Sequence, residues 1–279
     1  MKTNTLYISD LDGTLLSTDS RVSERSAQII SDLTGRGAMI TVATARTPAT
    51  VVPLLAQTRT TPPAIVMTGC ARWLRDAARF DRAGFLQGHD VLNGLDFCRH
   101  HGVHPFVYIM ADDGSTLDVY HAAPQLNKAE ESFYLERSQL KLKRFHLATP
   151  APQRALTNTM LLYAMGPAQP IIAAAGLLRQ ECDCSICAYP DIFNPEIYNL
   201  EIFPKGITKA RAIQELTADL GADRLVVFGD NLNDLPMLAI ADVAVAVGNA
   251  LPEVKEAADI VIEPNYTDAV ARFIEQDFI

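Results

Sequence analysis

The sequence predicts an α/β protein, a doubly wound parallel (Rossmann-like) core sheet with an inserted α+β cap domain. Short apolar runs alternate with helical patterns across residues 1–81, and the same alternation returns across residues 199–279. Between them, over residues 82–198, hairpin and mixed strand and helix signals replace that alternation. The two ends therefore read as halves of one core domain, with 82–198 as a module placed between them.

Residues 6–9 form a short, continuous apolar run, as expected of a strand buried on both faces. After a polar turn around Asp19, the residues Val22, Ile29, Ile30 and Leu33 recur at helical spacing until Gly35 and Gly37 stop the pattern. Residues 39–43 read as a second buried strand and 64–67 as a third. A helix is expected to start between them at Pro48, whose missing N–H has no partner at a first helical position anyway. In the central segment, strands at 104–110 and 116–121 flank the turn Asp112-Asp113-Gly114 as a hairpin. Further strands are expected at 158–164 and 185–189, with helices near 91–101 and 168–180, which together make an α+β module with an antiparallel sheet. The last third reads as an amphipathic helix at 207–220, a buried strand at 225–228, a helix at 232–240, and strands at 243–247 and 260–262.

A chain of 279 residues fits two unequal domains at roughly 100 to 200 residues each. Its composition, 48% hydrophobic and 20% charged, leaves no room for long disorder. A formal charge of −9 argues against a nucleic-acid partner, because non-specific binding needs a basic surface to displace counterions. A phosphorylated substrate therefore requires a locally positive pocket. No run approaches the roughly 18 apolar residues of a membrane span, and the N-terminal residues do not read as a secretion signal. The expectation is a cytoplasmic protein, monomeric or a small homo-oligomer, without a membrane partner. Among the five cysteines only Cys182, Cys184 and Cys187 have a spacing that invites a metal reading. They lack a nearby fourth ligand and sit in a strand-like stretch, so packing is the expected role.

Asp10-Leu11-Asp12-Gly13-Thr14 follows the first strand directly, at the carboxyl edge where open α/β sheets bind ligands. Two carboxylates two residues apart can divide the work of nucleophile and proton donor and can hold a hard cation. Gly13 permits a sharp turn, and the Thr14 hydroxyl can meet phosphate oxygens. Alone, the cluster is also consistent with a solvated Asp-Gly turn. A second acidic cluster, Gly229-Asp230-Asn231-Leu232-Asn233-Asp234, again follows a buried strand and precedes a helix. Asp230 and Asp234 could simply cap that helix, but carboxylates at two strand ends of one sheet can converge on one Mg²⁺. Thr44, just past the second strand, could offer a hydroxyl and an amide to a phosphate. Lys209, in the first turn of a helix, could balance the charge.

These four elements, in this order, resemble the haloacid dehalogenase superfamily over most of the chain, and the insertion resembles the large cap of its Cof-type (type IIB) branch. The stretch 198–210 (YNLEIFPKGITKA) and Val247-Gly248-Asn249-Ala250 are similar to that branch as well. The resemblance implies a nucleophile at Asp10 that forms an aspartyl-phosphate, and a general acid/base at Asp12. It implies Lys209 as the third-motif lysine, in preference to Lys205, and Thr14, Thr44, Ala45, Arg46, Lys209 and Asn233 around the phosphate. It places Mg²⁺ on the Asp10 side chain, the Asp12 backbone carbonyl and Asp230, supported by Asp234 and Asn233. Ala45 and Ala210 stand where that branch usually has glycine; Ala45 narrows the backbone approach to the phosphate, and neither change removes a reacting group. The implied activity is hydrolysis of phosphomonoesters of small metabolites, sugar phosphates foremost, with Arg46 and cap residues such as Asp191, Asn194 or Tyr198 as candidates to face the substrate. Two rivals remain open on sequence: phosphoryl transfer of the phosphomannomutase-like type, and a non-catalytic sensor of phosphorylated metabolites.

Overall fold

The computed structural model describes residues 4–191 and 194–278. The chain divides into two compact units, Met1–Asp81 with Thr208–Ile279, and Arg82–Ile207. The first unit opens with strand β1 (Thr5–Ser9), buried at all five positions. Helix α1 (Glu24–Gly35) follows an irregular loop, and the Ser23 side chain caps it by accepting from the Ser26 amide. Strand β2 (Met39–Val42), helix α2 (Pro48–Leu54) and strand β3 (Ala64–Val66) come next. β3 meets the end of β2 through one parallel bridge, Ala43 to Ile65. It then serves as the edge of a small antiparallel sheet with β4 (Ala71–Leu74) and β5 (Arg79–Ala83).

The second unit contains α3 (Gly88–His100), β6 (Phe106–Met110), β7 (Leu117–His121), α4 (Lys128–Arg137), β8 (Lys143–Leu147), α5 (Ala155–Asn158), β9 (Thr159–Pro167), α6 (Ala168–Glu181), β10 (Cys184–Pro190) and β11 (Ile197–Pro204). Its six-stranded sheet has the order β10-β11-β9-β6-β7-β8. The expected hairpin is β6–β7, and Asp113 tightens its turn by accepting from the Ser115 and Thr116 amides at 2.8 Å each. One pairing departs from the antiparallel expectation: β7 and β8 run parallel, because helix α4 carries the chain back between them. Val107, Ile109, Leu162, Leu200 and Ile202 on one face of the sheet pack against Val91, Ile171 and Leu178 of α3 and α6. The expected return to the core at residue 199 falls inside β11. That strand pairs with both β10 and β9, so the chain stays in this unit through Ile207.

The chain re-enters the first unit with α7 (Lys209–Leu220), β12 (Arg224–Gly229), α8 (Leu235–Leu238), β13 (Val243–Ala246), α9 (Pro252–Ala257), β14 (Ile260–Val261) and α10 (Ala269–Asp277). The expected helix at 232–240 is instead a 3₁₀ turn, Leu232–Asp234, followed by the single turn of α8. The main sheet is wholly parallel with the order β14-β13-β12-β1-β2. β1 thus lies between β2 and β12, strands that come from opposite ends of the sequence, and the carboxyl ends of β1, β2 and β12 share one edge. No helix among the described residues is long and apolar enough to cross a membrane.

Candidate active site

Asp10 leaves β1 at that shared edge, with its amide donating to Phe228 O of β12 at 3.0 Å. The chain then bends through Gly13, at φ +78°, where a Cβ would lie 2.3 Å from Asp230 Oδ2. Only glycine lets the loop close onto that carboxylate. Thr14 donates its hydroxyl to Asp230 Oδ1 at 2.9 Å, so the two acidic clusters of the sequence are tied directly to each other.

Lys209 crosses beneath them. Its buried ammonium donates to Asp10 Oδ1 at 2.6 Å and to Asp234 Oδ1 at 2.9 Å. Thr208 positions it by capping α7, accepting from the Arg211 amide at 3.1 Å. Asp234, fully buried, also accepts from the Asp230 amide at 3.1 Å and the Asn231 amide at 3.3 Å. The capping role and the site role thus coexist in this one side chain. Lys205, the rival lysine of the sequence, pairs instead with exposed Asp183 at 2.7 Å.

Burial pushes the Asp10 carboxyl up to about 7, against the pull of Lys209 and with Asp234 and Asp230 adding to the rise. Burial likewise raises Asp230 to about 6, while the Thr14 hydrogen bond opposes it. Lys209 is desolvated, yet Asp10 and Asp234 hold it above its ordinary value. One cation among three crowded carboxylates leaves an excess of negative charge. Ligand oxygens of Asp10, Asp230 and Asp234 all lie within 4.8 Å of one another, the only such His, Cys, Asp or Glu group among the described residues. Hard oxygen donors at this spacing, with the Gly13 cradle leaving Asp230 room, fit a small divalent cation. The cysteines form no such group; Cys182 and Cys184 pack against the core of the second unit.

The Asp12 carboxylate stands apart from this group. Arg46 holds it bidentately, Nε to Oδ2 at 2.7 Å and Nη2 to Oδ1 at 2.6 Å. Thr44 is buried, and its amide already donates to Ile65 O at 3.0 Å, so it cannot offer that group to a phosphate. Its hydroxyl accepts from the Arg46 amide at 3.2 Å. Ala45 is exposed at the same edge, and Asn233 is exposed in the 3₁₀ turn with no hydrogen bond to these groups. Asp191 and Asn194 lie in the β10–β11 connection and line a cavity of ≈ 640 Å³ within the second unit. Sequence reasoning assigned no role to two asparagines that brace the loop. Asn249 Nδ2 donates to Gly13 O at 2.8 Å, and Asn265 donates to Asn249 Oδ1 at 2.9 Å and to Leu16 O at 2.7 Å. The stretch around Asn249 was the available signal for the first; nothing local marks the second.

The profile of haloacid dehalogenase-like hydrolases matches residues 7–274. A candidate phosphatase of Haemophilus influenzae is 28% identical over 274 residues, covering 97% of each chain. Among solved structures, a haloacid dehalogenase-like hydrolase from Bacteroides thetaiotaomicron superposes with a TM-score of 0.81 at 23% identity, over 99% of this chain and 100% of that one. A sugar phosphatase of haloacid dehalogenase subclass IIB gives 0.71 at 20% identity over 99% of each. Both structural likenesses bear on the fold. With a family profile spanning nearly the whole sequence and the four motif elements gathered at one sheet edge, the chain belongs to the haloacid dehalogenase-like hydrolases.

Proposed function

We propose that this protein is a Mg²⁺-dependent phosphatase that hydrolyses phosphomonoesters of small metabolites, sugar phosphates foremost, through an aspartyl-phosphate on Asp10. One observation carries the reading: a buried lysine bridges Asp10 and Asp234, while Asp12, two residues on, is held separately by Arg46. Two carboxylates at one edge in different surroundings support a division into nucleophile and proton donor, as two-step phosphoryl transfer requires. The names of the Haemophilus relative and of the subclass IIB neighbour support the same chemistry.

Asp10 attacks phosphorus in line with the leaving oxygen, which takes a proton from Asp12. Asp12 then accepts a proton from water as that water cleaves the acyl phosphate. Lys209 holds the Asp10 carboxylate in place and offsets charge that builds on the phosphoryl oxygens. Arg46 is drawn from Asp12 toward the incoming phosphate dianion, which frees the acid for the leaving group. Asp10, Asp230 and the Asp12 carbonyl would hold Mg²⁺, supported by Asp234; the ion would supply charge neutralisation on the phosphate. In this reading the unit Arg82–Ile207 is the cap that selects the leaving group.

The test is phosphate release from a panel of sugar phosphates, nucleotides, pyridoxal phosphate and flavin mononucleotide, with Mg²⁺ or with EDTA. Release is expected only with the metal, and the Asp10→Asn variant is expected to stay folded without turnover. Substantial residual turnover in that variant removes Asp10 from the nucleophile role. Release that appears only with an added sugar acceptor replaces hydrolysis with transfer.

A further inference from the structure

At the far end of α2 the first unit contains a second polar cavity, of ≈ 410 Å³, lined among others by Ser31, Gln57, Thr58, Arg59, Arg75 and Asp76. It belongs to the opposite edge of the sheet from Asp10. The Arg59 amide donates to Ser31 Oγ at 2.9 Å and its carbonyl accepts from Thr34 Oγ1 at 3.1 Å, both in the last turns of α1, which lead into the start of β2.

Arg75 is the unusual group here. Its Nη1 donates to Thr58 O at 2.7 Å and to Thr60 Oγ1 at 2.8 Å, and its Nη2 to Leu55 O at 2.5 Å. Every acceptor is neutral. Among the described residues neither Arg75 nor Arg59 forms an ion pair with a carboxylate, although buried and half-buried charges are as a rule paired. The carbonyls past the end of α2 contribute at most about half an elementary charge of opposite sign, a partial offset. Exposed Asp76 on the rim contributes one negative charge against two guanidinium groups. Thr58, 2% exposed in the same wall, has a hydroxyl with no hydrogen-bond partner in the protein. A half-buried cation and a second cation without an ion pair, both lining one cavity, supply charged donors for an oxyanion, with the Thr58 hydroxyl enclosed in the wall behind them.

We propose that this cavity is a second, non-catalytic anion site, which takes the phosphate or carboxylate group of a small metabolite between Arg59 and Arg75. The cavity is larger than a bare oxyanion needs, and Val52 and Ala56 give an attached carbon skeleton an apolar wall. Among the described residues the acidic cluster able to hold a metal is at the Asp10 edge and not at this cavity.

The experiment is isothermal calorimetry with inorganic phosphate and, separately, malonate, in EDTA, on the full-length chain. Wild type and Lys209→Gln are both expected to bind one equivalent, and Arg59→Gln to bind at least about tenfold more weakly, as loss of a charged hydrogen-bond donor implies. Arg59 is exposed, so its variant is expected to keep the wild-type melting temperature; Arg75→Gln is the stronger lesion and is read only where it does the same. Binding of phosphate alone identifies a phosphorylated ligand, and binding of malonate alone a carboxylate. No binding of either anion at millimolar concentrations overturns the site. So does phosphate binding that disappears in Lys209→Gln and is untouched in Arg59→Gln, which places it at the catalytic edge.

Discussion

At the residue scale the site is governed by an imbalance of charge. Three carboxylates share one buried cation, and among the described residues the bridge from Lys209 to Asp10 and Asp234 is the one ion pair they make. Lys209→Met keeps the length of the side chain and removes its charge. Turnover is expected to fall about 10²–10³-fold, the range for loss of one preorganised electrostatic group, with the melting temperature measured in Mg²⁺ changed far less. A loss below about tenfold would leave Lys209 a structural role only. The sequence already preferred this lysine to Lys205 by its place in a motif; in the structure Lys205 is exposed and pairs with exposed Asp183. Arg46 reverses the emphasis. On sequence it was a substrate-facing candidate, and the structure adds that it holds the proposed acid in a bidentate clamp.

At the scale of elements, the site is held by close backbone contact as much as by side chains. The turn after β3 has three successive residues at positive φ, Met67, Thr68 and Gly69. The Met67 amide donates to Arg46 O and the Thr68 amide to Thr44 O, each at 3.0 Å, so the turn is fastened to the second-motif loop. On its other side a Cβ at Gly69 would lie 2.4 Å from Thr208 O, the residue that caps α7 ahead of Lys209. Gly69→Ala is therefore expected to push the start of α7 outward and to lower turnover with the protein still folded. Steady-state kinetics beside a thermal melt checks this; an unchanged rate would mean that α7 is positioned independently of the turn. The sequence marked a strand here and stopped. Its backbone partners are tens to more than a hundred residues away, and no local pattern encodes them.

At the scale of the whole molecule, the two ends of the chain build one sheet, and the last helix fastens them. Tyr7 of β1 donates to Asp277 of α10 at 2.8 Å, and Arg224 of β12 pairs with the same carboxylate at 2.5 Å. The Arg224 hydrogen bond is the largest influence on Asp277 and holds its carboxyl below the ordinary carboxylate range. A carboxyl lowered in the folded state stabilises the fold above its unfolded pKa, near 3.9. That contribution disappears as the pH falls through the lower folded value. Asp277→Asn is expected to lower the melting temperature at neutral pH, with the gap to wild type closing below about pH 4. A gap that persists unchanged in acid would assign the loss to packing instead.

The sequence by itself determined the α/β class, the split core and the two acidic clusters at strand ends, because each is written in short-range periodicity or in adjacent residues. It missed β4, β5, α4, β8, α5, β11, α9 and α10, though Asn127 and Glu130 form a capping box at the start of α4 whose residues were there to be read. It also placed the return to the core at residue 199, inside β11, a strand it did not read and whose pairing with β10 and β9 keeps the chain in the second unit. Only the tertiary structure decided that Asp234 both caps the 3₁₀ turn and pairs with Lys209, that Asn249 and Asn265 brace the Gly13 loop, and that Asp12 pairs with Arg46. It alone brought Arg59 and Arg75 to one cavity. The contacts at the Asp10 edge join segments distant in sequence, and they come into being only when parallel pairing sets the carboxyl ends of β1, β2 and β12 side by side.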